Sequence, residues 1–271
     1  MQEILLGYPI QTHLVAFVLG ATRLMVFAGV APYMGNSVLS GTPRTAIVIS
    51  LYIFIHPLVL TQVPDLFPIT GATVMTGTGI ILKEIFLGFL LAYLSGLLFW
   101  TIESAGFFID NQRGASMASE SDPLSGDQTS PTGSFLFQSM VYVFFATGTF
   151  LFYLGIIFTS YSFWPIHQII PVDFFANRNV ALFFGECVSK LALNFVLLAA
   201  PVVLACLFTD ISLGLINRFA SQLNVYVLAM PIKSAISSFL LIFYFAILMT
   251  DAPNRFVVFN VDLSAIRTFM P

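Results

Sequence analysis

Residues 135–172 read FLFQSMVYVFFATGTFLFYLGIIFTSYSFWPIHQIIPV and contain no Lys, Arg, Asp or Glu. A bilayer crossing needs about 20 apolar residues. This block is therefore too long for one crossing and too short for two crossings joined by a loop. Gly148, Gly155, Pro165 and Pro171 interrupt it, and such helix breakers predict one helix followed by a bent or re-entrant piece.

Further apolar runs lie on both sides of this block. They cover roughly residues 14–31, 45–63, 80–102, 180–209 and 211–250, which at the length of one crossing provides material for about six to eight helices. Pro57, Pro201 and Pro231 fall inside these runs. In lipid, the backbone groups that a proline frees must bond to neighbouring protein. The sequence therefore predicts an all-α membrane protein with broken helices.

The composition excludes several classes of protein. Of 271 residues, 58% are hydrophobic and 8% are charged, with a mean hydropathy of +0.94. A soluble domain carries about 25% charged residues, and a disordered chain is less apolar than this one. The net charge is −3 without any run of Lys or Arg, so we expect no nucleic-acid partner.

Residue types that carry catalysis and metal binding are scattered along the chain. Cys187 and Cys206 are 19 positions apart in one apolar run, which on a helix separates them by about 28 Å, too far for a disulfide. His13, His56 and His167 show no metal-ligand spacing. Because no nucleophile constellation or phosphate-binding loop is present either, we expect no enzyme, no metal site and no cofactor.

Charged side chains also occur inside the apolar runs. Each would cost about 2.5–3.5 kcal/mol at the centre of a membrane helix if it were unpaired. We therefore expect buried charge pairs at Lys83 and Glu84 and at Glu186 and Lys190, the second pair having the favourable acid-first i,i+4 spacing. The alternative interpretation is a proton or ion relay.

One substantial polar segment, 103–134, divides the chain into residues 1–134 and 135–271. Its central part, 106–133, reads GFFIDNQRGASMASESDPLSGDQTSPTG, and its small side chains surround one flexible methionine, Met117. Such a strand can pack into a narrow lumen and still be pushed aside. The alternative is an ordinary exposed connection, which is the default for a loop.

A stripe of polar side chains follows near the C-terminal end. Residues 214–233 read GLINRFASQLNVYVLAMPIK, in which amides, a hydroxyl and Arg218 repeat at helical spacing beside Leu215 and Leu223. Amides in membrane helices usually hydrogen-bond to neighbouring helices, which favours an assembly interface. A substrate pocket beside a proline-broken helix is the alternative.

Two stretches resemble a known family. The first runs from KEIFLGF at 83–89 through ESAGFFIDNQRG at 103–114 to DPLSG at 122–126, and the second joins GLINRFASQLNVY at 214–226 to MPIK at 230–233. Together they resemble the T subunit (SctT) of the type III secretion export apparatus and its flagellar homologue FliR. The resemblance covers essentially the whole chain and favours the injectisome. Ser221 departs from a proline common in the family, which loosens the bend expected before Gln222.

The resemblance implies a structural and gating subunit of the export gate. Together with R-type and S-type subunits, such a chain forms a channel for unfolded exported proteins, with the U-type switch protein and the V-type export protein nearby. It also implies helical hairpins in both halves, arranged like a fusion of the R-like and S-like folds. The expected location is the bacterial inner membrane, in contact with lipid and within the basal body of the secretion system.

The resemblance also assigns residues to roles. The family's plug, a loop that fills the closed channel, maps onto Gln112, Arg113, Gly114, Ala115, Ser116, Met117, Ala118, Ser119, Glu120 and Ser121. The subunit interface maps onto Asn217, Arg218, Gln222, Asn224 and Lys233. The alternative function is a secondary transporter of small molecules or ions that uses Glu186, Lys190 and Arg218, although no convincing internal repeat supports it.

Overall fold

The computed structural model describes residues 8–35, 38–63, 70–114, 130–168, 178–220 and 224–265, without the side chains of 226, 253 and 257–265. Within these ranges the chain forms seven α-helices and no strand, which confirms the all-α prediction. The helices are α1 (Ile10–Val30), α2 (Gly41–Leu60), α3 (Gly71–Arg113), α4 (Pro131–Ala146), α5 (Thr149–Phe163), α6 (Arg178–Phe219) and α7 (Val225–Ala265), with a 3₁₀ turn at Pro32–Met34.

Five of these helices are long and apolar enough to cross a membrane, namely α1, α2, α3, α6 and residues Val227–Ala252 of α7. Helices α4 and α5 together could supply a sixth span. The break between them comes at Gly148, whose φ of +72° lies in the left-handed region that glycine adopts without strain. The predicted break in the charge-free block is therefore present, and the piece that follows is itself a helix.

The long helices differ in how much of their apolar surface the chain itself covers. In the most apolar window of α3, 72% of the residues are buried, against 22% in α6 and 11% in α7. At 1.5 Å per residue, the 43 residues of α3 extend about 64 Å, more than twice the hydrocarbon thickness of a bilayer. Helix α3 is therefore much longer than one crossing needs, and α6 and α7 present apolar faces to their surroundings.

The chain divides into two compact units. The first contains Met1–Gly96, Gly148–Ala181 and Asp262–Pro271, and the second contains Leu97–Thr147 and Leu182–Val261. Helix α3 contributes its first part to one unit and its last part to the other. The boundary expected at residue 134 stays a prediction.

The first unit is held together by close helix contacts and buried tyrosines. Gly20 of α1 faces Tyr52 and Val59 of α2 with no room for a side chain. The Tyr161 hydroxyl donates to the Gly20 carbonyl oxygen at 2.7 Å. The Tyr33 hydroxyl lies 3.1 Å from the Ser95 hydroxyl, and burial raises the pKa of Tyr33, so this phenol remains a neutral hydrogen-bonding group.

Gly88 allows α3 to pack closely against α1. A Cβ at this position would lie 2.6 Å from the carbonyl oxygen of Arg23, whereas a Cβ at Gly79 of the same helix would meet nothing within 4 Å. We expect Gly88→Ala to destabilise the chain by about 1–3 kcal/mol through overpacking, and Gly79→Ala to stabilise it by about 0.5–1 kcal/mol. Thermal unfolding of both variants in detergent tests this, and equal effects would contradict it.

The second unit has an aromatic core. The Phe99 ring lies 5.2 Å from the Phe144 ring and 5.9 Å from the Phe256 ring, measured between centroids. Helices α3 and α4 meet at two glycines, because a Cβ on Gly106 would overlap the backbone of Gly133. This contact brings the end of α3 beside the start of α4.

Candidate functional site

The carboxylate of Asp110 connects the end of α3 to the start of α4. The Ser130 hydroxyl donates to Asp110 Oδ2 at 2.6 Å, and the Thr132 backbone N–H donates to the same oxygen at 2.9 Å. Arg113 Nη2 lies 2.7 Å from Asp110 Oδ1. Asp110 is buried, so its charge is balanced by Arg113 and by donors from the start of α4.

Local sequence explains why α3 ends and α4 begins at this point. Ser130 is the N-cap of α4, and its hydroxyl oxygen accepts from the Gly133 N–H at 2.9 Å, while the carboxylate of Asp110 lies where a helix N-terminus favours negative charge. At the other end, Gly114 has a φ of +84° and follows the last residue of α3, as glycine commonly does at a helix end.

The residues on either side of 115–129 are therefore bonded to one another. We call this group the loop base and define it by Asp110, Arg113, Ser130 and Thr132. Of the residues predicted to form the plug, Gln112 and Arg113 end α3 and Gly114 follows it. The others lie outside the described residues, namely Ala115, Ser116, Met117, Ala118, Ser119, Glu120 and Ser121. Their role stays a prediction.

Removing the Asp110 carboxylate should loosen the loop base. In Asp110→Ala, Arg113, Ser130 and the Thr132 N–H lose a charged partner, and hydrogen bonds to charged groups contribute about 1.5–3 kcal/mol each. We expect a lower melting temperature and faster proteolysis between residues 114 and 130. Asp251→Ala is the control, because Asp251 forms a partly exposed i,i+4 pair with Arg255, and such pairs on a helix surface are worth about 0.3–0.5 kcal/mol. Equal proteolysis in the two variants would show that Asp110 does not fix the loop.

A buried charge cluster lies in the first unit. Arg23 donates to both oxygens of Glu84, through Nε at 2.6 Å and Nη2 at 3.0 Å. Lys83 Nζ lies 2.7 Å from Glu84 Oε1. The side chains of Arg23 and Glu84 are fully buried and that of Lys83 is 3% exposed. The cluster contains two cations and one anion, so one positive charge needs other partners.

The end of α5 and the turn after it supply those partners. Lys83 Nζ donates to the carbonyl oxygens of Pro165 and Ile166 at 2.9 Å and 3.0 Å. Arg23 donates to the carbonyl oxygen of Trp164 and to the Ser160 hydroxyl, both at 2.9 Å. Cations are favourable at a helix C-terminus, where carbonyl groups lack intrahelical partners. The cluster thus ties α1 and α3 to the end of α5.

The two predicted charge pairs differ in how far the chain buries them. Lys83 and Glu84 belong to the buried cluster. Glu186 and Lys190 are 3.4 Å apart, but their side chains are 65% and 43% exposed, so the chain itself does not bury this pair. The reason is that their turn of α6 has mostly exposed neighbours, including Leu182 and Val188.

The polar stripe lies largely on the surface of the isolated chain. Asn217, Arg218 and Asn224 are exposed, and Gln222 lies outside the described residues. Lys233 pairs with Asp210 at 3.0 Å, a partner that the stripe itself did not indicate. Large apolar side chains beside the stripe are also exposed, with Phe219 at 89%.

The geometry of α6 does not support a transport site built from Glu186, Lys190 and Arg218. Arg218 follows Lys190 by 28 positions on the same helix, which is about 42 Å along the helix axis. Three residues so arranged cannot hold one small ligand or ion.

Comparison with known proteins places the chain in a family. Residues 14–257 match the family described as "Bacterial export proteins, family 1". This chain belongs to that family. It is 40% identical over 256 residues to "Yop proteins translocation protein T" of Yersinia pestis, covering 92% of this chain and 93% of the relative.

Two further relatives of this family 1 export protein widen the comparison. "Surface presentation of antigens protein SpaR" of Salmonella typhimurium is 31% identical over 241 residues, covering 88% of this chain and 86% of the relative. "Flagellar biosynthetic protein FliR" of Bacillus subtilis is 27% identical over 188 residues, covering 69% and 71%. The resemblance to the SctT/FliR family is confirmed, and with it the expectation that the chain is not an enzyme.

The fold of this export protein also joins two histidines that looked scattered in the sequence. His13 Nδ1 lies 3.0 Å from His56 Nε2, and the Tyr52 hydroxyl lies 2.7 Å from His56 Nδ1. Although Pro57 follows it, His56 lies inside α2 and contacts His13 of α1. In the described part of the chain no group of three or more metal-ligating side chains forms.

Proposed function

We propose that this chain is a structural and gating subunit of the type III secretion export gate, the channel through which unfolded proteins leave the cell. The observation that carries the proposal is the loop base, because a small-residue segment emerges from and returns to one fixed point in a family 1 export protein. In this proposal residues 112–121 close the channel at rest and move aside for the exported chain.

The exposed surfaces support an assembled state. The apolar windows of α6 and α7 are mostly uncovered by the chain itself, and the polar stripe adds Asn217, Arg218 and Asn224 to this surface. Exposed apolar area of this size requires lipid or other subunits. In the proposal, R-type and S-type subunits cover part of it, lipid of the bacterial inner membrane covers the rest, and the U-type and V-type proteins bind nearby. The names of two relatives, "translocation protein T" and "flagellar biosynthetic protein", support this setting.

Co-purification in mild detergent tests the assembly. We expect the full chain to recover R-type and S-type subunits, and we expect the double variant Arg218→Ala with Asn224→Ala to reduce that recovery at least tenfold. The physical reason is that buried polar groups left unpaired in the interface cost about 1–3 kcal/mol each. Recovery of the same subunits at the wild-type level would contradict the interface.

The control for this experiment is the double variant Ser212→Ala with Thr250→Ala. Both hydroxyl groups are exposed and donate at 2.8 Å to carbonyl oxygens of their own helices. Because their partners are intrahelical, these substitutions should leave recovery of the other subunits unchanged. A loss equal to that of the Arg218 and Asn224 variant would show that the readout reports general instability.

A further inference from the structure

An open cleft of about 710 Å³ lies in the second unit beside the loop base. Three helices, α3, α4 and α6, form its walls. Four aromatic rings, one carboxylate, one amide and three hydroxyl groups line it, contributed by Trp100, Glu103, Ser104, Phe107, Phe108, Asn111, Ser130, Ser134 and Phe195.

Helical spacing places the acid between aromatic rings. Trp100, Glu103, Phe107 and Asn111 follow one another at intervals of three and four residues on α3, so they share one face of that helix. Trp100 and Phe107 lie about one turn on either side of Glu103, roughly 5 Å along the axis. From the opposite wall, Phe195 contacts Phe108 edge to face with ring centroids 6.1 Å apart.

The chemistry of the cleft is complementary to an organic cation. Among the described residues no Lys or Arg forms an ion pair with Glu103, and no basic side chain lines the cleft. Aromatic faces attract cations, and a planar guanidinium can stack on a ring while it donates to a carboxylate. A volume of this size is within the usual range of about 300–1,000 Å³ for ligand pockets, so an arginine side chain and its flanking backbone fit.

We propose that this cleft binds the guanidinium group of an arginine side chain in the unfolded protein during export. This inference rests on the proposed function for the identity of its ligand. An unfolded chain presents its arginines free of intramolecular partners. The Glu103 carboxylate, which pairs with no Lys or Arg among the described residues, provides the complementary group. The ligand binds between Trp100 and Phe107, with its guanidinium group at Glu103.

The cleft and the loop base share Ser130. Ser130 is one of the residues that line the cleft, and its hydroxyl group donates to Asp110. A bound arginine side chain therefore lies against the group that fixes the start of α4. A ligand in the cleft thus contacts the loop base while the exported chain passes.

Fluorescence of Trp100 provides a direct test. The chain has two tryptophans, and Trp164→Phe leaves Trp100 as the single reporter while retaining the carbonyl group that Arg23 uses. The full-length variant in mild detergent is titrated with an unfolded Gly/Ser-rich peptide that contains one arginine. A matched peptide contains citrulline, the neutral isostere of arginine. We expect saturable quenching by the arginine peptide and at least tenfold weaker binding of the citrulline peptide.

Two substitutions locate the effect. Glu103→Gln should weaken binding of the arginine peptide at least tenfold, and Glu103→Asp should restore part of the affinity because it keeps the charge. Glu186→Gln removes an exposed carboxylate from α6 and should leave binding unchanged. The wild-type chain, titrated by anisotropy of a labelled peptide, repeats the comparison without the tryptophan substitution.

Several outcomes would overturn the inference. These are equal binding of the arginine and citrulline peptides, unchanged binding in Glu103→Gln, or a Trp100 response to phosphatidylethanolamine vesicles but not to peptide. Loss of a co-purifying subunit in Glu103→Gln would assign the cleft to that subunit and also overturn it. A chain that recovers the gate subunits but binds no arginine peptide refutes this inference alone. A chain that binds the peptide but recovers no gate subunits refutes the proposed function alone.

Discussion

Glu84→Gln is expected to destabilise the chain by about 3–5 kcal/mol, because breaking a buried ion pair leaves uncompensated charge in the interior. Arg23 and Lys83 both contact this carboxylate and are buried. After the substitution, two cations remain with a neutral amide, the Ser160 hydroxyl and backbone carbonyl groups. Since about 1.4 kcal/mol corresponds to a tenfold change in an equilibrium constant, the equilibrium constant for folding decreases more than a hundredfold. The amount of folded chain in membranes and its thermal unfolding in detergent measure the effect.

Glu186→Gln is the matched control for this substitution. It removes the same group from the same residue type in another Glu–Lys pair, whose side chains are 65% and 43% exposed. Exposed i,i+4 pairs contribute about 0.3–0.5 kcal/mol, so little loss of folded chain is expected. If Glu84→Gln and Glu186→Gln unfold at the same temperature, the buried cluster does not stabilise the first unit as described.

Replacing residues 115–121 with a Gly/Ser segment of equal length should make resting membranes permeable to small solutes. The loop base is retained in this variant, so the gate should still assemble, while the side chains of Ala115, Met117 and Glu120 in the predicted plug are removed. We expect solute uptake to rise from the background of the wild-type strain to a readily measured rate, with R-type and S-type subunits still co-purifying.

The same replacement at residues 64–69 controls for the loss of a connecting segment. It changes another connection between helices, far in sequence from the predicted plug, and should leave permeability at background. Leakage in both variants would point to general damage of the gate. Background permeability in the 115–121 variant, with the subunits assembled, would contradict the plug.

Much of the fold could be predicted because membrane helices leave a strong sequence signal. Long apolar runs indicate the type of the elements and their approximate number, and Gly148 marks the break in the charge-free block. The pair at Glu186 and Lys190 follows from i,i+4 spacing alone. Their exposure could not be predicted in the same way, because it depends on which face of α6 the rest of the chain covers.

The charge cluster was only partly predictable for a similar reason. Lys83 and Glu84 are unusual within an apolar run, and Arg23 is equally unusual within the first run. Their association joins residues 61 positions apart, and their remaining partners are backbone carbonyl groups that carry no sequence signal. His13 and His56, separated by 43 positions, show the same limitation.

Asp110 was the least predictable member of the candidate site. It is one of several acids in the polar segment, and composition predicts that such an acid is exposed. Its burial depends on the contact between Gly106 and Gly133, which brings the α4 N-terminus to its carboxylate. The family resemblance predicts the plug, whereas the loop base could be identified only from the folded structure.

Thiol accessibility at position 117 tests the gating role most directly. Cys187 and Cys206 are 4% and 0% exposed, and with both replaced by alanine, Met117→Cys provides a single reporter in cells with a complete secretion system. We predict that a membrane-impermeant thiol reagent supplied from the exterior labels this cysteine slowly at rest and rapidly during active export. Equal labelling in the resting and exporting states would contradict a plug that moves aside for the exported protein.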